Sequence, residues 1–543
     1  MSETSDNKEI PLTPIILSQF TQALIASIKS IKQKLIPDDL SKITVSPTVS
    51  LFALVYERVR NAVEYREDHL IRRAAIERII KRRIMLNPEG KNEAENVLRE
   101  LLWARYFPNG SLGGHDQIIL QEIIDKYLYV RKLLLSGRNG NQKEFQWEFL
   151  VHMLTCEIEE TLSPEDSTRY ANFTFFIYQV LRNKIRIQGL SDDQKDAYFL
   201  CALERSFRKN DKPYQRYHLF TTFYKPLHDY SESELRDFTN KLPAIMQKID
   251  DTITSPYVES LVRYTRKQLP PFLILYSFVR TKFKTLESIL TNRQKLWTEV
   301  DLTCREKYQQ LSSRMRVLSI RSFIYIFLTK MVFALLLEFP LSKWIYGAVN
   351  YESIAINTLF PPILMLLIIS FFKVPGEDNT RNIYNRLVDI IDADKSFETT
   401  VAYMPKKGRE KKPILIFGFT IFYSLTFLVT FTLIFEGLKL LNFNLVSIGI
   451  FVFFISLVTF FSYRVKQIVN EYRLSEKSGL LSPVIDFFFM PILSIGKFLS
   501  GGLAKLNFFI FIFDFLIEAP FKLIFEVVEE WISFVRKRKE EII

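Results

Sequence analysis

The sequence predicts an all-α membrane protein: an N-terminal cytoplasmic helical domain, then a transmembrane helical bundle, then C-terminal amphipathic helices that are interfacial or re-entrant. Three observations predict it. Up to about residue 317 the chain is rich in Arg, Lys, Glu and Tyr, with apolar residues at helical spacing and no convincing run of alternating strands. Four later segments, Ser322 to Phe339, Ser353 to Phe372, Ile414 to Phe435 and Leu445 to Tyr463, approach or reach the ~20 apolar residues that cross a bilayer. Lys and Arg crowd the loops on one side of those segments and are sparse on the other.

Residues 1–10, MSETSDNKEI, are polar and acidic; they read as disordered and lack the pattern of a cleavable signal peptide. Residues 11–270 read as the helical domain. Its first helix, within PLTPIILSQFTQALIASIKSIKQKLIP, stops at Pro37, and a long candidate from Ser46 is closed by Asn87 and Pro88. Ser191 with Gln194, and Ser231 with Glu234, have capping-box spacing: the hydroxyl accepts from a first-turn amide while the longer side chain reaches back. Residues 271–317 read as a connecting helix, a stalk leading to the first span. Residues 318–465 hold the four spans with a cytoplasmic loop at 373–412, and residues 480–543 form the interfacial or re-entrant end.

Orientation comes from the cations. Arg314, Arg316 and Arg321 precede the first span, the 373–412 loop holds nine Lys and Arg, and Arg464, Lys466, Arg473 and Lys477 come after the fourth. The other two loops carry one lysine each. Both termini are therefore expected in the cytoplasm, with Trp344, Tyr346 and Tyr351 in an interfacial belt on the far side.

Composition excludes several classes. The net charge of +12 could point to nucleic acid, but the basic cytoplasmic loops of a membrane protein account for it as well, so nucleic acid is not the expected partner. Cys156, Cys201 and Cys304 are far apart and odd in number, which predicts free thiols and no disulfide or zinc framework. No phosphate loop, dinucleotide fingerprint, HExxH or nucleophile elbow is present, so no catalytic residue, metal or cofactor is expected. The DxD of Asp392 and Asp394 reads as loop carboxylates.

Three groups of charged residues call for a reading. The run RRAAIERIIKRR places Arg72, Arg73, Arg78, Lys81, Arg82 and Arg83 on about three helical turns. Lipid phosphates could bind it; the plainer reading is a solvated face paired with Glu64, Glu67 and Glu77. Lys330 lies inside the first span. It is either functional or snorkelling, and Glu338, eight residues on, is about 12 Å further along a straight helix and too far to pair. In the C-terminal segment, Asp486 interrupts one apolar run, while Asp514, Glu518, Lys522, Glu526 and Glu530 recur every four residues in another. At about 100° per residue these five spread over an arc of about 160°, a wet face more than a wire. Four central charges would cost on the order of 10–14 kcal/mol against about 4–8 gained from the Phe, Ile and Leu residues. Arg536, Lys537, Arg538 and Lys539 would then meet anionic lipid. Whether 480–525 crosses the membrane, giving six spans, stays open.

The runs RNAVEYREDHLIRRAAIERIIKRR and DFLIEAPFKLIFEVVEEWISFVRKRKEE, about a tenth of the chain, resemble segments of uncharacterised polytopic inner-membrane proteins of candidate-phyla-radiation bacteria. The resemblance implies a multi-pass protein of a bacterial inner membrane and brings no site residues. The expected role is a non-catalytic scaffold or envelope organiser acting through membrane lipids and other membrane or cytoplasmic proteins. The alternatives are a transporter or channel using Lys330, Asp486, Asp514 and Glu518 as intramembrane polar groups, and a membrane-bound enzyme without a recognisable motif.

Overall fold

The computed structural model describes residues 13–31, 42–61, 67–135, 140–347, 349–395, 402–404, 413–474 and 489–499, with scattered positions between 524 and 539. In chain order the helices are α1 (Gln19–Lys29), α2 (Pro47–Asn61), α3 (Asp68–Leu86), α4 (Glu93–Trp103), α5 (Gly114–Leu135), α6 (Gly140–Leu162), α7 (Pro164–Leu181), α8 (Asp192–Ser206), α9 (Lys212–Phe223), α10 (Glu232–Thr254), α11 (Pro256–Thr281), α12 (Leu286–Thr291), α13 (Arg293–Phe333), α14 (Phe339–Tyr346), α15 (Tyr351–Ser370), α16 (Glu377–Ile391), α17 (Pro413–Leu440) and α18 (Leu445–Val469). A short apolar helix, α19, spans Phe489–Leu499. The all-α expectation holds except for one pair of three-residue strands, β1 (Ile185–Ile187) and β2 (Ala402–Met404), which run parallel with Ile185 opposite Ala402. Three residues are too few to show alternation in a sequence.

Contacts divide the chain into two units, and the division falls inside α11 between Arg266 and Lys267. The first unit holds residues 18–266 and β2. Its helices start where the sequence supplies caps. Ser18, Ser191 and Asp211 accept from the Thr21, Gln194 and Tyr214 amides, and Ser231 with Glu234 forms the complete capping box. The single helix expected from Ser46 to Asn87 is two, α2 and α3, with 62–66 outside the described residues. The core is formed by α6, whose inner surface buries Phe149, Leu150, Met153, Leu154 and Ile158, against α3, α5 and α9.

The second unit holds residues 13–17 and everything described from Lys267 onward, apart from β2 and the positions beyond 511. It contains four helices long and apolar enough to cross a membrane: Arg293–Tyr346, Tyr351–Ser370, Phe417–Leu440 and Leu445–Tyr472. These coincide with the four predicted spans, so the chain is a helical membrane protein. The connecting helix differs from expectation. The segment from 271 breaks at Lys282–Asn292, where Asn292 caps a fresh start by accepting from the Gln294 and Lys295 amides, and α13 then runs without interruption into the first span. The loop at 373–412 is not all loop either. Its α16 buries Ile383, Leu387, Val388 and Ile391; Tyr384 lies edge-on to Trp297, and Asp392 is bonded to Arg293 at 2.8 Å. Arg293 also donates to the carbonyl of Thr13 and Ala393 to that of Ile16. Asn379 ties the end of α18 to this platform, donating to the Tyr308 hydroxyl and the Tyr472 carbonyl and accepting from the Leu474 amide.

Among the spans, Met315, Ile326, Met365, Ile369, Phe454, Val458, Val465 and Val469 form one apolar cluster joining α13, α15 and α18. Lipid outside is as apolar as these side chains, so what holds the helices is dispersion and interhelical hydrogen bonding. Helix α19 docks on the same bundle: Tyr423 of α17 meets Ser494 at 2.8 Å, and Gly496 approaches α18 so closely that a Cβ there would lie 2.2 Å from the Ser456 carbonyl oxygen.

Candidate functional site: a buried polar cluster between the spans

The site begins with a break in helix geometry. Pro340 has no amide to offer the Leu336 carbonyl, and the turn before it widens into a π-helix over Ala334–Glu338. Such a turn shortens the rise per residue and rotates the helix beyond it. As a result Glu338 lies 3.6 Å from Lys330, carboxylate oxygen Oε2 to Nζ, with both side chains wholly buried. This corrects the expectation that the two were too far apart, which assumed a straight α-helix. It also removes snorkelling: the ammonium is turned into the protein, 4.6 Å from the centre of the Phe454 ring.

Asn357 of α15 completes the core of the site. Its Nδ2 donates to Glu338 Oε1 at 2.6 Å and to the Ser447 carbonyl of α18 at 3.1 Å. Pro361 lacks the amide that would bond the carbonyl of Asn357, and Pro362 the one for Thr358, so α15 carries weakened backbone pairing beside the site. Asn444 caps α18 by accepting from Ser447 N at 2.8 Å and donates to the Ser342 hydroxyl at 3.0 Å. Four buried atoms here have no hydrogen-bond partner among the described residues: Lys330 Nζ, Glu338 Oε2, Asn357 Oδ1 and Ser447 Oγ. Donors and acceptors are thus held together in an apolar shell with part of their capacity unused. Asn357, Ser447 and Phe454 were not singled out in the sequence. An Asn within a chargeless span, four residues before a Pro-Pro pair, was the available signal.

Asp486, Asp514 and Glu518, the other intramembrane polar candidates, lie outside the described residues, as do Arg536 and Lys537. Arg538 and Lys539 are exposed and helical, Arg538 beside the Phe534 ring.

The basic run of α3 is placed differently from either reading of it. Arg72 bonds Glu159, Arg73 bonds Glu77 and Asp211, Arg78 bonds Glu57, and Arg82 and Arg83 both engage Glu100. Lys81 pairs with Glu77 and is the most exposed of the six. Of the expected intrahelical partners Glu77 serves, Glu67 pairs with Lys209, and Glu64 lies outside the described residues; the other carboxylates come from α2, α4, α6 and the loop before α9.

Those pairs belong to a polar core within the first unit that gathers four of the five histidines. His218 donates to Glu204 at 2.7 Å and to Glu160 at 2.6 Å. Burial opposes its charge, but Glu204 and Glu160 outweigh burial and raise its pKa to about 9. His152 goes the other way, down to about 3, through burial and the cations Arg216 and Arg73 despite Glu77. Tyr127 and Tyr214, donating to Glu157 and Glu159 at 2.6 and 2.7 Å, are held well above the usual phenol range by burial and those carboxylates. His69 bonds Asn210, and His228 bonds Glu157. Cys156, Cys201 and Cys304 are buried free thiols. Asp392 of the DxD is buried and bonded to Arg293. Among the described residues no set of His, Cys, Asp and Glu is arranged to hold a metal ion.

Compared with family models, curated proteins and solved structures, the chain matches none.

Proposed function

We propose that the protein is a proton-coupled transporter or proton channel of a bacterial inner membrane, with both termini cytoplasmic, working through the Lys330–Glu338–Asn357 cluster. The observation that carries this reading is an ionisable pair, fully buried between membrane helices, with unused hydrogen-bonding capacity on both partners. A scaffold has no need of it. Apolar side chains of the same volume would pack there at equal or lower free energy, whereas charges inside membranes accompany ion and proton pathways. The π turn and the Pro361–Pro362 pair supply backbone that can change its hydrogen bonding, as a gate requires. Membrane lipid is the partner of the outer faces: Phe417, Phe419, Leu425, Leu428 and Leu433 of α17 are exposed in the isolated chain. The cation asymmetry of the loops gives the orientation.

The test is proton flux. Full-length protein is reconstituted into liposomes with an internal pH-sensitive dye, and a potential is imposed. Native protein should acidify or alkalinise the lumen, and Glu338→Gln and Lys330→Met should reduce the rate at least tenfold. Equal rates in native protein, both variants and protein-free liposomes would dismiss the reading and return the cluster to a structural role.

A further inference from the structure

Among the described residues, the buried cluster has a polar approach from one side. Residues 349–352, with Tyr346, and the loop 441–444 bound an open cleft of about 630 Å³ whose lining includes Asn350, Glu352, Asn442 and Asn444. Asn350 donates to the Asn442 carbonyl at 3.2 Å and caps α15, so the two segments are tied together. From Asn444 a succession of polar groups leads inward. Its side chain meets Ser342 and the Ser447 amide, the Ser447 carbonyl meets Asn357, and Asn357 meets Glu338, which faces Lys330. Beyond Lys330 the succession ends at an apolar layer. Phe454, Ile326, Met365 and Val458 close the space between α13, α15 and α18.

We propose that this succession is an aqueous half-channel, open on the side of residues 349–352 and 441–444 and sealed on the other by the Phe454 cluster. Its ligand is water and the proton that water carries. The unpartnered atoms have the right mixture: Lys330 donates, Glu338 Oε2 and Asn357 Oδ1 accept, and Ser447 Oγ does both, which lets each bridging water reach the two to four partners a buried water needs. A metal cation is disfavoured because the Lys330 ammonium already occupies the cationic position beside the carboxylate. In the loading step a hydronium ion gives its proton to Glu338 Oε2, one O–H bond breaking and one forming. Water is left, and the pair carries the single positive charge of Lys330. The inference rests on the proposed function for its purpose but not for its geometry.

Substituted-cysteine accessibility tests it in the full-length protein, with the three native cysteines, all buried, as the background. Asn444→Cys, Ser342→Cys and Ser447→Cys should react with a membrane-impermeant thiol reagent added on the cleft side, at least tenfold faster than Ile326→Cys or Met365→Cys. The same reagent on the opposite side should label none of them. Unreactive Ser447→Cys in protein whose Asn444→Cys does react would overturn the half-channel, since the route would end at the cleft. Labelling of Met365→Cys from the opposite side would overturn the seal. Because Ser447→Cys could disturb the Asn357 bond, Ser342→Cys provides an independent inner position. Labelling with no Glu338-dependent flux retires the transport reading and keeps the half-channel; flux without labelling does the reverse.

Discussion

Removing Lys330 should cost more than removing Lys330 and Glu338 together. In Lys330→Met the thioether fills the ammonium's place beside Phe454, and Glu338 is left buried with the single bond from Asn357. Breaking a buried pair from one side costs about 3–5 kcal/mol, whereas replacing both partners by apolar groups of similar volume is close to neutral. Lys330→Met/Glu338→Leu returns that loss less about 1–3 kcal/mol for the Asn357 amide that loses its acceptor, about half at the middle of both ranges. For a unit of this size 1 kcal/mol moves Tm by about 2–4 °C. The single variant should therefore melt roughly 6–20 °C lower and the double variant recover about half of the difference. The assay is thermal unfolding of the full chain in detergent, monitored by tryptophan fluorescence, with Glu338→Leu closing the double-mutant cycle. A coupling below about 0.5 kcal/mol would refute the reasoning, because residues in contact and dependent on each other couple by at least that much.

Three further outcomes are expected from the same structure. His218 has a folded pKa of about 9 against 6.5 unfolded, so the folded state holds more proton between those values and the stability it contributes, on the order of 3 kcal/mol, is complete below pH 6.5 and lost as pH rises through 9; His218→Gln should flatten that limb in a denaturant titration. His152, depressed to about 3, acts oppositely: the unfolded chain binds the proton between 6.5 and 3, so its contribution is lost on acidification, and His152→Gln should lessen the acid sensitivity over that window. Gly496→Ala sets a methyl against the Ser456 carbonyl and the Phe460 Cβ, 2.2 and 2.8 Å from its ideal position; a loss of about 1–3 kcal/mol in thermal unfolding, larger than for Gly449→Ala, where a Cβ meets nothing within 4 Å, checks it.

How much of this was legible depended on whether the partner lay nearby in sequence. Caps are local, and Ser231–Glu234 and the closure at Asn87 were read correctly because three residues decide them. The spans were legible because bilayer thickness fixes a length that composition alone can meet. The partners of Arg72 and Arg82 were not, since Glu159 and Glu100 sit 87 and 18 residues away and helical spacing carries no information about which helices will touch. Lys330 and Glu338 form the intermediate case. Both were visible and their separation was known, but the pairing depended on a π turn whose cause, Pro340, stands two residues beyond Glu338. A proline just after an intramembrane acid is a reason to distrust straight-helix arithmetic.

Buried polar atoms without a hydrogen-bond partner occur in both units, among the described residues Arg73 Nε in the first and the Lys330 cluster in the second; what sets the second apart is that its cluster lies between membrane-spanning helices. In the first unit Glu204, Glu160 and His218 saturate one another, and the Arg216 guanidinium is bound by Asp250 at 2.7 and 2.9 Å while resting on the Phe149 ring. Around His218 and Arg216 that degree of satisfaction specifies one arrangement and resists change. Between the spans Lys330, Glu338, Asn357 and Ser447 each keep an unused atom, in surroundings where leaving it unused costs the most. Packing alone would not preserve such a cluster, because an apolar substitution at every one of these positions relieves the penalty. The proposed function supplies a reason for it, a second occupant or a second arrangement of the same groups. On that proposal a proton delivered by water supplies both, since protonating Glu338 would convert the acceptor Oε2 into a donor and leave Lys330 the one charge of the pair.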